Sequence, residues 1–138
     1  MRPCISIYRD VKNGRYVVQP YTEGPVATTA FGEPTVVAPD DFSLRITDAV
    51  LANLEKFGKE KYDRSRAIRR SPTEQKQFLR EYLEVSVERL ESGGLTIYPL
   101  KLDGGGRVGY DGDAIVLSER DVSQKLADAI ADSFRKAT

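Results

Sequence analysis

The feature that most constrains this chain is a pattern it carries twice. Thr35 to Phe57 reads TVVAPDDFSLRITDAVLANLEKF, and Ala114 to Thr138 reads AIVLSERDVSQKLADAIADSFRKAT. Each passes from a short β-branched run through a polar turn into an amphipathic helix. Shifted by 80 residues, the two align without a gap: Val36 on Val116, Asp41 on Asp121, Ser43 on Ser123, Asp48 on Asp128, Ala49 on Ala129 and Lys56 on Lys136. Between these identities Arg45 faces Lys125, Ile46 faces Leu126, Val50 faces Ile130 and Leu54 faces Phe134. Apolar residues recur at steps of three and four: Ile46, Ala49, Val50, Leu54 and Phe57 in one copy, and Leu126, Ala129, Ile130, Phe134 and Ala137 in the other. That spacing gathers them on one helix face, which must lie against another layer. The shared order of strand, turn and helix predicts an internal repeat, 1–58 and 80–138. Asp41 and Asp121 are the expected N-caps, with Ser43 and Ser123 as alternatives. The spacing of Asp121 and Gln124 also suits a capping box.

The remaining stretches supply strands and one connecting helix. Cys4 to Tyr8 alternates, with Ile5 and Ile7 on one face and Cys4, Ser6 and Tyr8 on the other. Asn13-Gly14 predicts a type I′ hairpin turn into a return strand, Arg15 to Tyr21, which Pro20 is expected to weaken. Thr22 to Pro34 reads as a loop or a short irregular strand. Gly58 is a candidate to end the first helix. Lys59 to Arg70 is a basic connector. Ser71-Pro72-Thr73-Glu74 is a helix start with a capping serine and a reciprocal glutamate, predicting a helix over Pro72 to Tyr82. Leu83, Val85 and Val87 then alternate with Glu84, Ser86 and Glu88. Ser92-Gly93-Gly94 turns the chain into Leu95 to Leu100, and Asp103-Gly104-Gly105-Gly106 turns it again. The sum predicts an α+β fold. It is a single domain, 1–138, of two related strand-rich halves, with mainly antiparallel sheet covered by about three helices.

At 138 residues the chain is long enough for one core and too short for two ordinary domains. Its 21 basic residues match its 21 acidic ones, which removes any global electrostatic case for nucleic acid or an anionic membrane. Cys4 is the sole cysteine, so no intramolecular disulfide can form and a reducing compartment is expected. No apolar run is long enough to span a bilayer. The opening MRPCISIYRD enters an alternating segment directly, so no signal peptide is expected and the cytoplasm is the predicted location. Histidine is absent. That excludes Ser-His-Asp and Cys-His chemistry, histidine acid/base catalysis and most transition-metal sites.

The polar clusters carry little chemistry of their own. Asp103-Gly-Gly-Gly-Arg107 lacks the Lys-Ser/Thr of a phosphate loop, and no helix follows it directly. Asp103, Asp111 and Asp113 are oxygen ligands without EF-hand spacing. Glu84 and Glu88 are expected on a solvated strand face, and Cys4 as a buried inert thiol. No cofactor, metal ligand or catalytic group is expected, and the chain is not read as an enzyme. The seven tyrosines, against five phenylalanines and no tryptophan, favour surface contacts with another protein.

The run LEVSVERLESGGLTIYPLKLDGGGRVGYDGDAIVLSERDVSQKLADAI resembles the contact-dependent growth inhibition immunity proteins. Val85 and Val87, Ile97 to Pro99, Gly104 to Gly109, Val116, Leu126 and Ala129 carry the likeness. The family has a glycine after the helix leucine, where this chain has Thr47 and Ala127. The resemblance implies a bacterial, cytoplasmic immunity protein that binds the C-terminal toxin domain, often a nuclease, of a cognate effector. It implies no catalysis, direct nucleic-acid binding or membrane association, and a monomer or weak homodimer. The candidate partner-binding residues are Tyr98, Tyr110, Asp111 and Asp113 beside the glycine-rich hairpin. Arg66, Arg69 and Arg70 form the alternative face, and an exposed strand edge is a third mode. The competing function is a small-ligand or nucleic-acid binding module using the basic stretch 59–70 and the glycine-rich loop 103–106.

Overall fold

The structure, a computed structural model, describes residues 1–138. Strand β1 (Cys4–Asp10) alternates as its sequence requires, sending Ile5 and Ile7 to one side of the pleat and Ser6 and Tyr8 to the other. The chain returns as β2 (Tyr16–Glu23). Gly14 takes φ +76° in the turn, and its N–H donates to the Asp10 carbonyl at 2.8 Å. A type I′ turn also needs Asn13 at positive φ, and no residue other than glycine has one. The hairpin therefore closes through a wider loop, in which the Asn13 side chain accepts the Arg15 N–H at 2.9 Å. Short strands β3 (Thr28–Ala30) and β4 (Thr35–Val37) follow, then a 3-10 turn, Pro39–Asp41, and helix α1 (Phe42–Glu55). A connector with a 3-10 turn at Arg64–Arg66 leads to α2 (Pro72–Glu81). The second half then repeats the order: β5 (Tyr82–Arg89), β6 (Leu95–Asp103), β7 (Gly106–Gly109), β8 (Ile115–Leu117), a 3-10 turn Glu119–Asp121 and α3 (Val122–Lys136).

All eight strands join one antiparallel sheet in the order β3-β2-β1-β5-β6-β7, with β4 on β2 and β8 on β6. The two halves share a register. Ile5 pairs with Pro20 and Val85 with Pro99; Tyr16 pairs with Val37 and Leu95 with Leu117; Tyr21 pairs with Ala30 and Leu100 with Gly109. Where β1 meets β5, Ser6 lies opposite Ser86, Ile5 opposite Val87 and Ile7 opposite Val85. A pseudo-twofold axis thus passes between the two serines. Val36 and Val116 are each the exposed middle residue of a three-residue strand.

Pro20 does not weaken β2; the strand runs through it, as β6 runs through Pro99. Both prolines fall where the outer neighbour changes. β4 pairs with residues 16–18 and β3 with 21–23, while β8 pairs with 95–97 and β7 with 100–103. A missing N–H costs no ladder bond in such a gap.

Helices α1 and α3 cover the face bearing Ile5, Ile7, Val85 and Val87. Ile46, Val50 and Leu54 from α1 and Leu126, Ile130 and Phe134 from α3 join them in one core spanning both halves. Asp41 and Asp121 occupy the N-cap positions, but neither side chain caps. The 3-10 turns supply acceptors instead: the Phe42 N–H donates to the Pro39 carbonyl and the Val122 N–H to Glu119. The aspartates reach forward to Arg45 (3.9 Å) and Lys125 (3.6 Å). The expected Asp121–Gln124 box does not form, whereas the Ser71–Glu74 box forms in full. On the opposite face α2 sets Phe78 edge-on to Tyr8, with ring centroids 4.9 Å apart. The fold is α+β: one curled antiparallel sheet with two helices on one side and one on the other.

Candidate functional site

The helix-free part of the second face holds a cavity of about 700 Å³. It lies over the pseudo-twofold axis, with Ser6 and Ser86 on its floor and Glu84, Glu88, Tyr98, Arg107 and Tyr110 among its walls. The asymmetry has a simple cause. Tyr8 is roofed by Phe78 of α2, while its register counterpart, Glu88, meets no helix and pairs with Arg2 at 2.9 Å. One half of the face is closed by the connecting helix and the other stays open.

Glu84 departs most from expectation. Its alternation places it away from the helical core, but the surface there is not solvated: its side chain is 13% exposed. Ser6 Oγ donates to Oε2 at 2.7 Å and lies 3.1 Å from the Tyr21 hydroxyl. Burial pushes the Glu84 carboxyl above its ordinary value, and the Ser6 hydrogen bond and the Arg107 charge offset this in part. Tyr8 and Tyr21 are raised as well, by burial first.

Arg107 comes from β7, which the glycine turn Gly104–Gly105 folds back onto β6. Its side chain is 3% exposed. Nε donates to the Thr138 carbonyl at 2.9 Å, and Nη2 donates to the carbonyls of Leu79, at 3.0 Å, and Tyr82. This arginine ties the end of α2 and the C-terminal residue to the hairpin. Its Nη1 has no hydrogen-bond partner and stands 3.9 Å from Glu84 Oε1. The two charges attract, but the guanidinium is held back by the carbonyls it already serves.

The residues singled out from sequence separate into two groups. Tyr98, Tyr110 and Asp111 line the cavity together. Tyr98 packs against Gly109, where an added Cβ would collide with its ring. Tyr110 is 46% exposed and its hydroxyl donates to Asp103 at 3.3 Å. The Asp103 charge, above all, raises the Tyr110 phenol. Asp113 is outside the cavity wall and pairs with Lys101 at 2.9 Å. The basic connector is spent largely on the chain itself. Arg66 pairs with Glu60 and covers the Phe31 ring at 5.2 Å, and Arg70 lies over Phe78 at 3.7 Å. Arg69 is exposed. Sequence reasoning missed Ser6, Glu84 and Arg107. The one available signal was a glutamate at a strand position opposite a tyrosine, Tyr8, which only strand pairing brings together.

What this arrangement defines is a sheet with two helices on one face and, on the other, one helix beside a recess lined by hydroxyls and carboxylates. No protein-family model matches the sequence, and no curated protein does. Solved structures do match in fold. A Neisseria meningitidis protein of unknown function superposes with a TM-score of 0.70 at 12% identity, over 100% of this chain and 96% of that one. A chain from a CdiA-CT/CdiI toxin and immunity complex of Yersinia pseudotuberculosis superposes equally well, with a TM-score of 0.70 at 12% identity, over 100% of this chain and 98% of that one. The fold is therefore one found in a toxin–immunity complex. No helix is long and apolar enough to cross a membrane.

Proposed function

We propose that this chain is a cytoplasmic immunity protein that binds and neutralises the C-terminal toxin domain, a nuclease, of a cognate contact-dependent growth inhibition effector. The observation that carries the reading is the full-length fold shared with a chain of a toxin and immunity complex. The polar recess supports it, because a rigid, preformed surface binds without paying to order itself. Inhibition then needs no chemistry by this chain. A standard-size interface with a few buried anchors suffices for slow release. Tyr98, Tyr110 and Asp111 at the recess are the proposed contacts. Arg66 and Arg70, engaged within the chain, make the basic connector a weaker candidate for either a toxin or a phosphate backbone.

The proposal expects a large secreted effector encoded beside this chain's gene, and co-expression with the C-terminal domain of that effector tests it. Growth is restored and the two proteins co-purify. Failure of the purified chain to bind that domain at about micromolar concentration removes the reading.

A further inference from the structure

Glu84 is a largely shielded carboxylate whose charge has an incomplete partner. One oxygen accepts from Ser6 at 2.7 Å; the other faces Arg107 Nη1 at 3.9 Å, too far for a hydrogen bond. Arg107 is held where it is by the carbonyls of Leu79, Tyr82 and Thr138. The remaining groups facing this carboxylate bring it no second close cation: Tyr8 stabilises it as a neutral hydrogen-bond donor, Tyr21 is a neutral phenol, and Arg70 lies over Phe78. The cavity wall carries Arg2 and Arg107 against Glu84, Glu88 and Asp111, two cations against three carboxylates. Arg2 is already tied to Glu88 at 2.9 Å, and Asp111 makes no ion pair. Ser86, Thr96 and Tyr98 add hydroxyl acceptors to the same wall.

We infer that the recess receives one lysine or arginine side chain of the partner protein, entering from the open half and reaching across the axis so that its cationic head sits on Glu84 beside Ser86 and Tyr98. The choice of partner rests on the immunity reading; the acceptor chemistry does not. A cation there supplies the hydrogen bond that Arg107 withholds, inside a recess where charge-assisted bonds are strong. It also adds one positive charge to a wall with one excess negative one. The same geometry makes binding acid-sensitive, because a protonated Glu84 no longer attracts the cation.

The first test uses propylguanidinium as a stand-in for the side chain. With carbon-13 at the glutamate carboxyls, the Glu84 resonance is followed against pH with the cation and with sodium at equal ionic strength. Propylguanidinium lowers the Glu84 midpoint and produces saturable shifts at Ser86 and Tyr98, which Glu84→Gln abolishes and Glu84→Asp restores in part. An unchanged midpoint overturns the inference. The second test measures the toxin domain's affinity for wild type and Glu84→Gln, with thermal melts confirming that both are folded. The substitution weakens binding by about tenfold or more and flattens its acid dependence. If the toxin binds both chains equally, the inference falls and the immunity reading stands. If propylguanidinium engages Glu84 while the toxin binds neither chain, the immunity reading falls and the cation-accepting recess stands.

Discussion

Leu126→Ala is the most informative single test of how this molecule holds together. Leu126 is 0% exposed on α3, and its register counterpart on α1, Ile46, is also 0% exposed. Truncation to alanine removes about three methylene-sized groups at about 0.8 kcal/mol each, roughly 2.4 kcal/mol of transfer free energy. A cavity term adds to this, because sheet and helix neighbours relax only in part. The expected loss is about 3–4 kcal/mol. For a chain of this size that is a fall in melting temperature of roughly 10–15 °C. Urea denaturation followed by circular dichroism reads it directly, and an unchanged m-value shows that the fold survives. Ile46→Ala should cost about the same, within roughly 1 kcal/mol, because both residues plug equivalent places in one core. A loss below about 1 kcal/mol for either, or a strong inequality between them, refutes a single core shared by equivalent helices.

Gly109→Ala forces a Cβ into the Tyr98 ring; it destabilises by about 1–3 kcal/mol in urea and displaces Tyr98, which nuclear magnetic resonance shifts at the cavity report. Ser71→Ala removes the capping box of α2 and costs about 0.5–2 kcal/mol, visible as faster amide exchange in the first turn of α2. The raised Glu84 carboxyl makes the folded state hold a proton that the unfolded chain has already released. Its stabilising contribution is therefore fully present below the unfolded value, about pH 4.3, and is lost as pH rises through the folded value. The urea midpoint of wild type minus that of Glu84→Gln, taken from acid to neutral pH, shows that decline; the difference cancels the opposite trend of Glu55, Asp63 and Glu74, whose carboxyls are held low.

Much of the fold was legible because its signals are local. Helix faces at steps of three and four, strand alternation around Val85 and Val87, the Ser71 capping box and the glycine turns each depend on residues close in the chain. The two related segments were also visible in the sequence, and we propose that they descend from a duplicated unit, a view the shared register of the ladders supports. Where neighbours in space intervene, local signals misled. Pro20 looks like a strand breaker and sits harmlessly where the outer partner changes. Asp41 and Asp121 look like caps and are relieved of that duty by the 3-10 turns before them.

The candidate site divides the same way. The amino-acid order alone determined that Tyr98, Tyr110 and Asp111 lie near a glycine-rich hairpin, and that no histidine chemistry is available. Only the tertiary structure decided that Glu84 is largely shielded from water, because α2 and the β6–β7 hairpin close over a strand face that alternation alone assigns to water. Only it decided that Arg107 comes within 3.9 Å of Glu84 without bonding to it. Burial and charge pairing depend on which distant segments meet, and that is set by how β1 and β5 pair across the axis, not by either strand alone.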